Sequence, residues 1–188
     1  MRRPPFLAQI ESAWLRTVAN HYNFHQILSE RTLQAAFWSQ LIPHATDRYI
    51  FIEPRMTIPG DANAPTACMI PDIVICRKRS VLAIVEFKFI PRGAANVTYD
   101  LAKLERVASC TKPIVIELQR FRGPKQQKHE YVIGARCQFG VAFITNKPPQ
   151  GLDAFRTRLP TSPLAGRCFL LSAHTHANMP ASASAERV

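Results

Sequence analysis

Asp72, Glu86 and Lys88 are the residues whose types and spacing could do chemistry together. They bracket two apolar runs, Ile73 to Cys76 and Val81 to Val85, separated by the polar and basic Arg77-Lys78-Arg79-Ser80, the pattern of two strands and a turn. Side chains alternate faces along a strand, so Glu86 and Lys88 share one face and Phe87 takes the other. With the turn centred on Arg79, facing positions sum to 158 and Asp72 lies opposite Glu86, with Cβ atoms about 5 Å apart. Two like charges facing each other destabilise a sheet unless a cation sits between them or Lys88 offsets them. The set therefore offers an oxygen-lined seat for a divalent metal. This register requires a loop of odd length; an even one pairs Asp72 with Val85 or Phe87 and disperses the set.

The elements that must position these residues can be read on either side. Residues 6 to 19 carry Phe6, Leu7, Ile10, Trp14 and Val18 at helical spacing. A second helix is predicted from about Leu28 to Leu41, with Ser29 as N-cap, Leu33, Phe37 and Leu41 in its stripe, and Pro43 as terminator. Glu30 falls in its first turn, where the helix dipole favours a carboxylate whatever its function. Arg48 to Ile58 reads as one strand carrying Glu53, with Pro54 marking an edge or a bulge. A loop over 59–67 leads to the hairpin. After Lys88 a break at Pro91-Arg92-Gly93 precedes a helix over about 97–109, with Val97, Leu101, Leu104 and Ala108 as its stripe and Tyr99, Lys103 and Arg106 on another side. The run Pro113 to Leu118 reads as a buried strand beside the hairpin sheet. Tyr131 to Ala135, Phe139 to Thr145 and Cys168 to Ser172 read as three more, with a short helix near 152–159. The small, polar residues 177–188 are expected to be a disordered tail.

Length and charge set the outer bounds. The chain has 188 residues, enough for a single domain over 1–176 with a core over about 28–145, and 47% hydrophobic content is enough to fill one. The net charge is +11. Residues 71–136 hold 13 Lys and Arg against 6 Asp and Glu, whereas residues 1–70 hold 6 against 5, so the excess surrounds the hairpin. Such a field points to a polyanion, meaning nucleic acid before an acidic membrane surface. Arg120, Arg122, Lys125 and Lys128, together with Lys103, are the predicted contacts to its phosphates. Five widely spaced cysteines without Cys-x-x-Cys indicate neither a disulfide framework nor a zinc knuckle, and suit a reducing cytoplasm. Gln9, Glu11 and Arg16 interrupt any leader-like apolar run, and no stretch is long and apolar enough to span a membrane. His21 and His25 lie one helical turn apart but lack the third ligand a metal would need.

Pro71-Asp72, an apolar strand, a turn, a second apolar strand and Glu86-Phe87-Lys88 resemble the PD-(D/E)xK nuclease-like superfamily. The preceding helix and strand, and the helix after Lys88, fall where that superfamily's restriction-endonuclease-like core would put them, over about residues 28–119. The resemblance implies an α/β (α+β) fold with an αβββαβ core, a mixed central sheet flanked by helices. It implies that Asp72, Glu86 and the main-chain carbonyl of Phe87 bind Mg²⁺ or Mn²⁺, and that Lys88 orients or helps deprotonate the attacking water through a lowered pKa. A further acid comes from Glu30 on the first helix or Glu53 on the preceding strand, and both remain open. The function implied is phosphodiester hydrolysis, in DNA before RNA, in defence, repair or recombination; a homodimer would let single sites cut both strands. The competing readings are a catalytically silent nucleic-acid-binding module on the same fold and a basic protein-interaction domain.

Overall fold

The computed structural model describes residues 5–60, 65–118 and 127–188, with only the backbone described at 118, 127 and 128. Helix α1 (Phe6–Thr17) continues through a π turn to Tyr22, and α2 (Glu30–Leu41) begins at Ser29. The predicted cap is present in reciprocal form. Ser29 Oγ accepts from the Thr32 amide at 3.2 Å, and Thr32 Oγ1 accepts from the Ser29 amide at 2.9 Å, satisfying two N-terminal donors. Two further helices are α3 (Thr98–Ala108) and α4 (Leu152–Arg158).

Strands β1 (Tyr49–Ile52), β4 (Ile73–Arg77), β5 (Ser80–Ile90), β7 (Gln127–Thr145), β8 (Cys168–His176) and β9 (Met179–Arg187) lie side by side in that order. The pairs β5–β7 and β7–β8 are parallel and the rest antiparallel, giving a mixed sheet. Strands β2 (Met56–Ile58), β3 (Ala67–Met69) and β6 (Ile114–Leu118) extend it by antiparallel pairing in the order β3-β2-β6 onto the first half of β7. Both faces are covered. Ile10, Trp14, Leu33 and Phe37 of α1 and α2 bury against Val85 and Phe87 on one side. Leu101, Leu104 and Phe155 of α3 and α4 bury against Val74, Ile84 and Val141 on the other. Faces of this kind follow from the period of two along β4 and β5.

The hairpin register holds for a different reason from the one expected. Its loop is two residues, Lys78 and Arg79, an even number, with Lys78 at φ 53°. Near the turn the facing pairs are Arg77–Ser80 and Cys76–Val81, which sum to 157. A β-bulge then leaves Leu82 unpaired, and from Ile75–Ala83 to Ile73–Val85 the pairs sum to 158. The bulge restores the parity that the loop lacks.

Three other expectations are corrected. The strand over 48–58 is broken at Glu53, whose φ is 47°, and at Pro54, which has no amide to donate, so β1 and β2 enter different parts of the sheet. Strand β6 pairs with β2 and β7 and, as expected, is a buried strand of the sheet that holds the hairpin. The two strands predicted over 131–145 are one, β7, whose pairing to β5 jumps between Ile133 and Gln138. The tail is the edge strand β9: Asn178 at φ 61° turns the chain, Ala181 and Ala183 pack on the α1 side, and Ser184 Oγ meets Ser172 Oγ at 2.7 Å.

Candidate functional site

The bulge delivers Asp72 and Glu86 to facing positions one step beyond the Ile73–Val85 pair. Their neighbours at two-residue spacing, Val74 and Ile84, sit in the core under α3, so both carboxylates project to that face. Asp72 Oδ2 accepts a hydrogen bond from the Phe87 amide at 2.6 Å, while the Asp72 carbonyl accepts from the Glu53 amide at 2.8 Å. Glu86 is 2% exposed. Its Oε2 accepts a hydrogen bond from Lys103 Nζ at 2.8 Å, and its Oε1 lies equally close to that ammonium without a hydrogen bond directed at it. Lys103 also donates to the Ile70 carbonyl at 2.7 Å. It therefore turns into the site and is 12% exposed at its side chain, instead of lying outward as a phosphate contact.

Lys88 follows Glu86 on the same face, and its Nζ lies 3.2 Å from Asp100 Oδ1 in the first turn of α3. Asp100 is buried, and its Oδ2 has no hydrogen-bond partner among the described residues. Nothing in the hairpin motif indicates Asp100. The available signal was an acid three residues after Val97 and four before Leu104, inside the apolar stripe of a helix.

The two candidates for the further acid separate clearly. Glu30 is half-buried at the start of α2 and lies within electrostatic reach of Lys88, Asp72 and Asp100, with a hydrogen bond from the Phe89 backbone. Glu53 turns outward to an exposed ion pair with Arg31 at 3.6 Å. His21 is also committed elsewhere, its ring nitrogens lying 2.8 Å from Gln26 Oε1 and 2.9 Å from Gln40 Nε2. Arg120, Arg122 and Lys125 lie outside the described residues, as does the side chain of Lys128.

Burial governs the titration of the acids. It pushes the Glu86 carboxyl up to about 8, against the pull of Lys103 and with a further push from Asp72 and Asp100. Asp72 and Glu30 are raised for the same reason, with Lys88 opposing in both and Lys103 also opposing at Asp72. Lys88 runs against the expectation of a lowered pKa. Burial alone would lower it, but Asp100, Glu30 and Asp72 together outweigh burial and raise it. Lys88 is thus held as an ammonium.

Four carboxylates, Glu30, Asp72, Glu86 and Asp100, surround two ammonium groups, Lys88 and Lys103, which leaves two negative charges without a partner when all are ionised. That deficit matches one divalent cation, and carboxylate oxygens are the donors that Mg²⁺ and Mn²⁺ take. The unsatisfied Glu86 Oε1 and Asp100 Oδ2 are the atoms such a charge would satisfy. As they stand, no three His, Cys, Asp or Glu side chains among the described residues form a group that could hold a metal ion, in keeping with the engagement of Glu86 by Lys103. Among the described residues no helix is long and apolar enough to cross a membrane. Comparison of the chain with models of known families, with curated proteins and with solved structures found no match.

Proposed function

We propose that the protein is a metal-dependent nuclease of the PD-(D/E)xK type that hydrolyses phosphodiester bonds in DNA. The observation that carries this reading is the placing of Asp72 and the buried Glu86 at facing positions of a hairpin that ends in Glu86-Phe87-Lys88. Asp72 and Glu86 would hold the ion, with the Phe87 carbonyl and Glu30 as further oxygen donors. When bound, Mg²⁺ or Mn²⁺ supplies a Lewis acid that polarises the phosphoryl group and stabilises the leaving oxygen. Lys88, kept charged by its carboxylate neighbours, acts by donating hydrogen bonds that orient water and phosphate, and not by removing a proton. Asp100 fixes the Lys88 ammonium, and Lys103 supplies positive charge to Glu86 in the ligand-free protein.

The chain order α2-β1-β4-β5-α3-β7, with β1, β4, β5 and β7 adjacent in the sheet, supports a restriction-endonuclease-like core into which β2, β3 and β6 are inserted. The net charge of +11 supports a polyanionic substrate. The test is incubation with supercoiled, linear and single-stranded DNA and with RNA, in Mg²⁺, Mn²⁺ or EDTA. Metal-dependent cutting that falls at least about a hundredfold in Asp72→Ala and Lys88→Ala is the expected result. Equal absence of cutting by wild type and both variants on every substrate sinks the proposal. The engagement of Glu86 by Lys103 favours a second reading, a nucleic-acid-binding module without cleavage. Under that reading salt-sensitive DNA binding persists where cutting is absent.

A further inference from the structure

At the opposite end of the hairpin lies a cavity of about 650 Å³ whose walls carry four arginines from four separate parts of the chain. Arg48 precedes β1, Arg77 ends β4, Arg136 lies where β7 changes its pairing, and Arg187 ends β9. Leu82, left unpaired by the bulge, lines the same cavity, as does Phe6. Bulges commonly re-aim a side chain in this way. Glu86 is four residues further along β5, about 13 Å at the rise of a strand, so this cavity is separate from the carboxylate site.

The guanidinium groups are partly pre-set. Arg48 stacks over the Phe6 ring at 4.2 Å and donates to Gln9 Oε1 at 2.6 Å. Asp47 faces Arg77 at 3.0 Å and Arg48 at 3.9 Å, and Glu11 faces Arg187 at 3.5 Å. Arg136 is exposed and makes no ion pair among the described residues. Among the described residues four guanidinium groups and two facing carboxylates surround a hollow that also has apolar wall. Guanidinium forks match phosphate oxygens, and cavities of a few hundred cubic ångströms suit ligands of nucleotide size.

We propose that this cavity is a second site that binds an organic phosphate of nucleotide size, its phosphate among Arg48, Arg77, Arg136 and Arg187 and its ring against Leu82 and Phe6. The ligand is either a free nucleotide or the phosphorylated end of a nucleic-acid strand, which present the same chemistry. Binding here involves none of the carboxylates of the candidate nuclease site, so it stands or falls separately from that function.

The test is calorimetric titration in EDTA with ADP, AMP, adenosine, and a short oligonucleotide carrying either a 5′-phosphate or a 5′-hydroxyl. Saturable binding of ADP or AMP, with adenosine silent and the hydroxyl oligonucleotide unable to displace the bound nucleotide, is the expected result. Arg136→Ala should weaken it about tenfold, the loss of one charge-assisted contact, and Leu82→Glu should abolish it while Asp72→Ala leaves it unchanged. Tight binding of ADP alone assigns a free nucleotide, and competition of ADP by the phosphorylated oligonucleotide assigns a strand end. No saturable binding of any phosphate probe, or binding unaltered in both Arg136→Ala and Leu82→Glu with unchanged melting curves, overturns the proposal.

Discussion

The two ends of the β4–β5 hairpin share a ladder of hydrogen bonds and little else. At the open end Asp72, Glu86 and Lys88 meet Asp100, Glu30 and Lys103 in a half-buried cluster of four carboxyl groups and two ammonium groups. At the turn end Arg77, Lys78 and Arg79 are exposed, and Arg77 joins three other arginines around a cavity. Pairs sum to 158 at one end and to 157 at the other, and the unpaired Leu82 reconciles them. The contrast teaches that register at the open end of a hairpin need not be set by its turn. One bulge lets the turn keep a two-residue loop while the far end keeps its carboxylates face to face.

Breaking that arrangement has the largest expected effect. Inserting one alanine after Ile84 moves Glu86 onto the face occupied by Val85 and Phe87, against Phe37 of α2. This buries an unpaired carboxylate in an apolar core and should cost more than about 4 kcal/mol by urea denaturation. Deleting Leu82 is the sharpening control. It removes only the unpaired residue, leaves Asp72 opposite Glu86, and should cost less than half as much.

A smaller effect concerns the charge at the open end. In metal-free protein the Glu86 carboxyl is raised from 4.5 to about 8, so the folded state holds that proton more tightly than the unfolded chain. The associated stability is complete below about pH 4.5 and is lost as pH rises through 8. Glu86→Gln removes this dependence. In EDTA the variant should gain on wild type between pH 5 and pH 8.5 by at least about 1 kcal/mol, read from thermal or urea melts. Parallel curves for the two proteins would show that burial does not govern this group.

The smallest effect is expected at the turn. Lys78 adopts φ 53°, a conformation that glycine enters without the penalty a Cβ brings. Lys78→Gly should raise stability by no more than about 1 kcal/mol and leave DNA cleavage unchanged, because the bulge separates the turn from the site.

Much of the open end was legible in sequence because it depends on a period of two and on a motif carried by three residues. Ser29 and the helix it caps were legible because capping is local. The bulge at Leu82 was not, since no glycine or proline marks it and the parallel partner β7, distant in sequence, shares in fixing the geometry. Asp100 was missed because a helix stripe is traced through its apolar residues, and this acid stands inside one. The sign of the Lys88 shift followed from that omission, for Asp100 is the nearest charge holding Lys88 protonated. Residues 179–187 read as a tail by composition, although Ala181, Ala183 and Ala185 alternate with serines as an edge strand does. Composition hid a period that position would have revealed.

A divalent-cation site among the carboxylates at the open end is tested by titrating Mn²⁺ into metal-free protein and following it by electron paramagnetic resonance. One saturable ion per chain is expected, weakened at least about tenfold by Asp72→Asn and unaffected by Glu53→Gln, whose carboxylate faces Arg31 outside the cluster. Saturable binding equal in wild type and Asp72→Asn, or none in either, would contradict it.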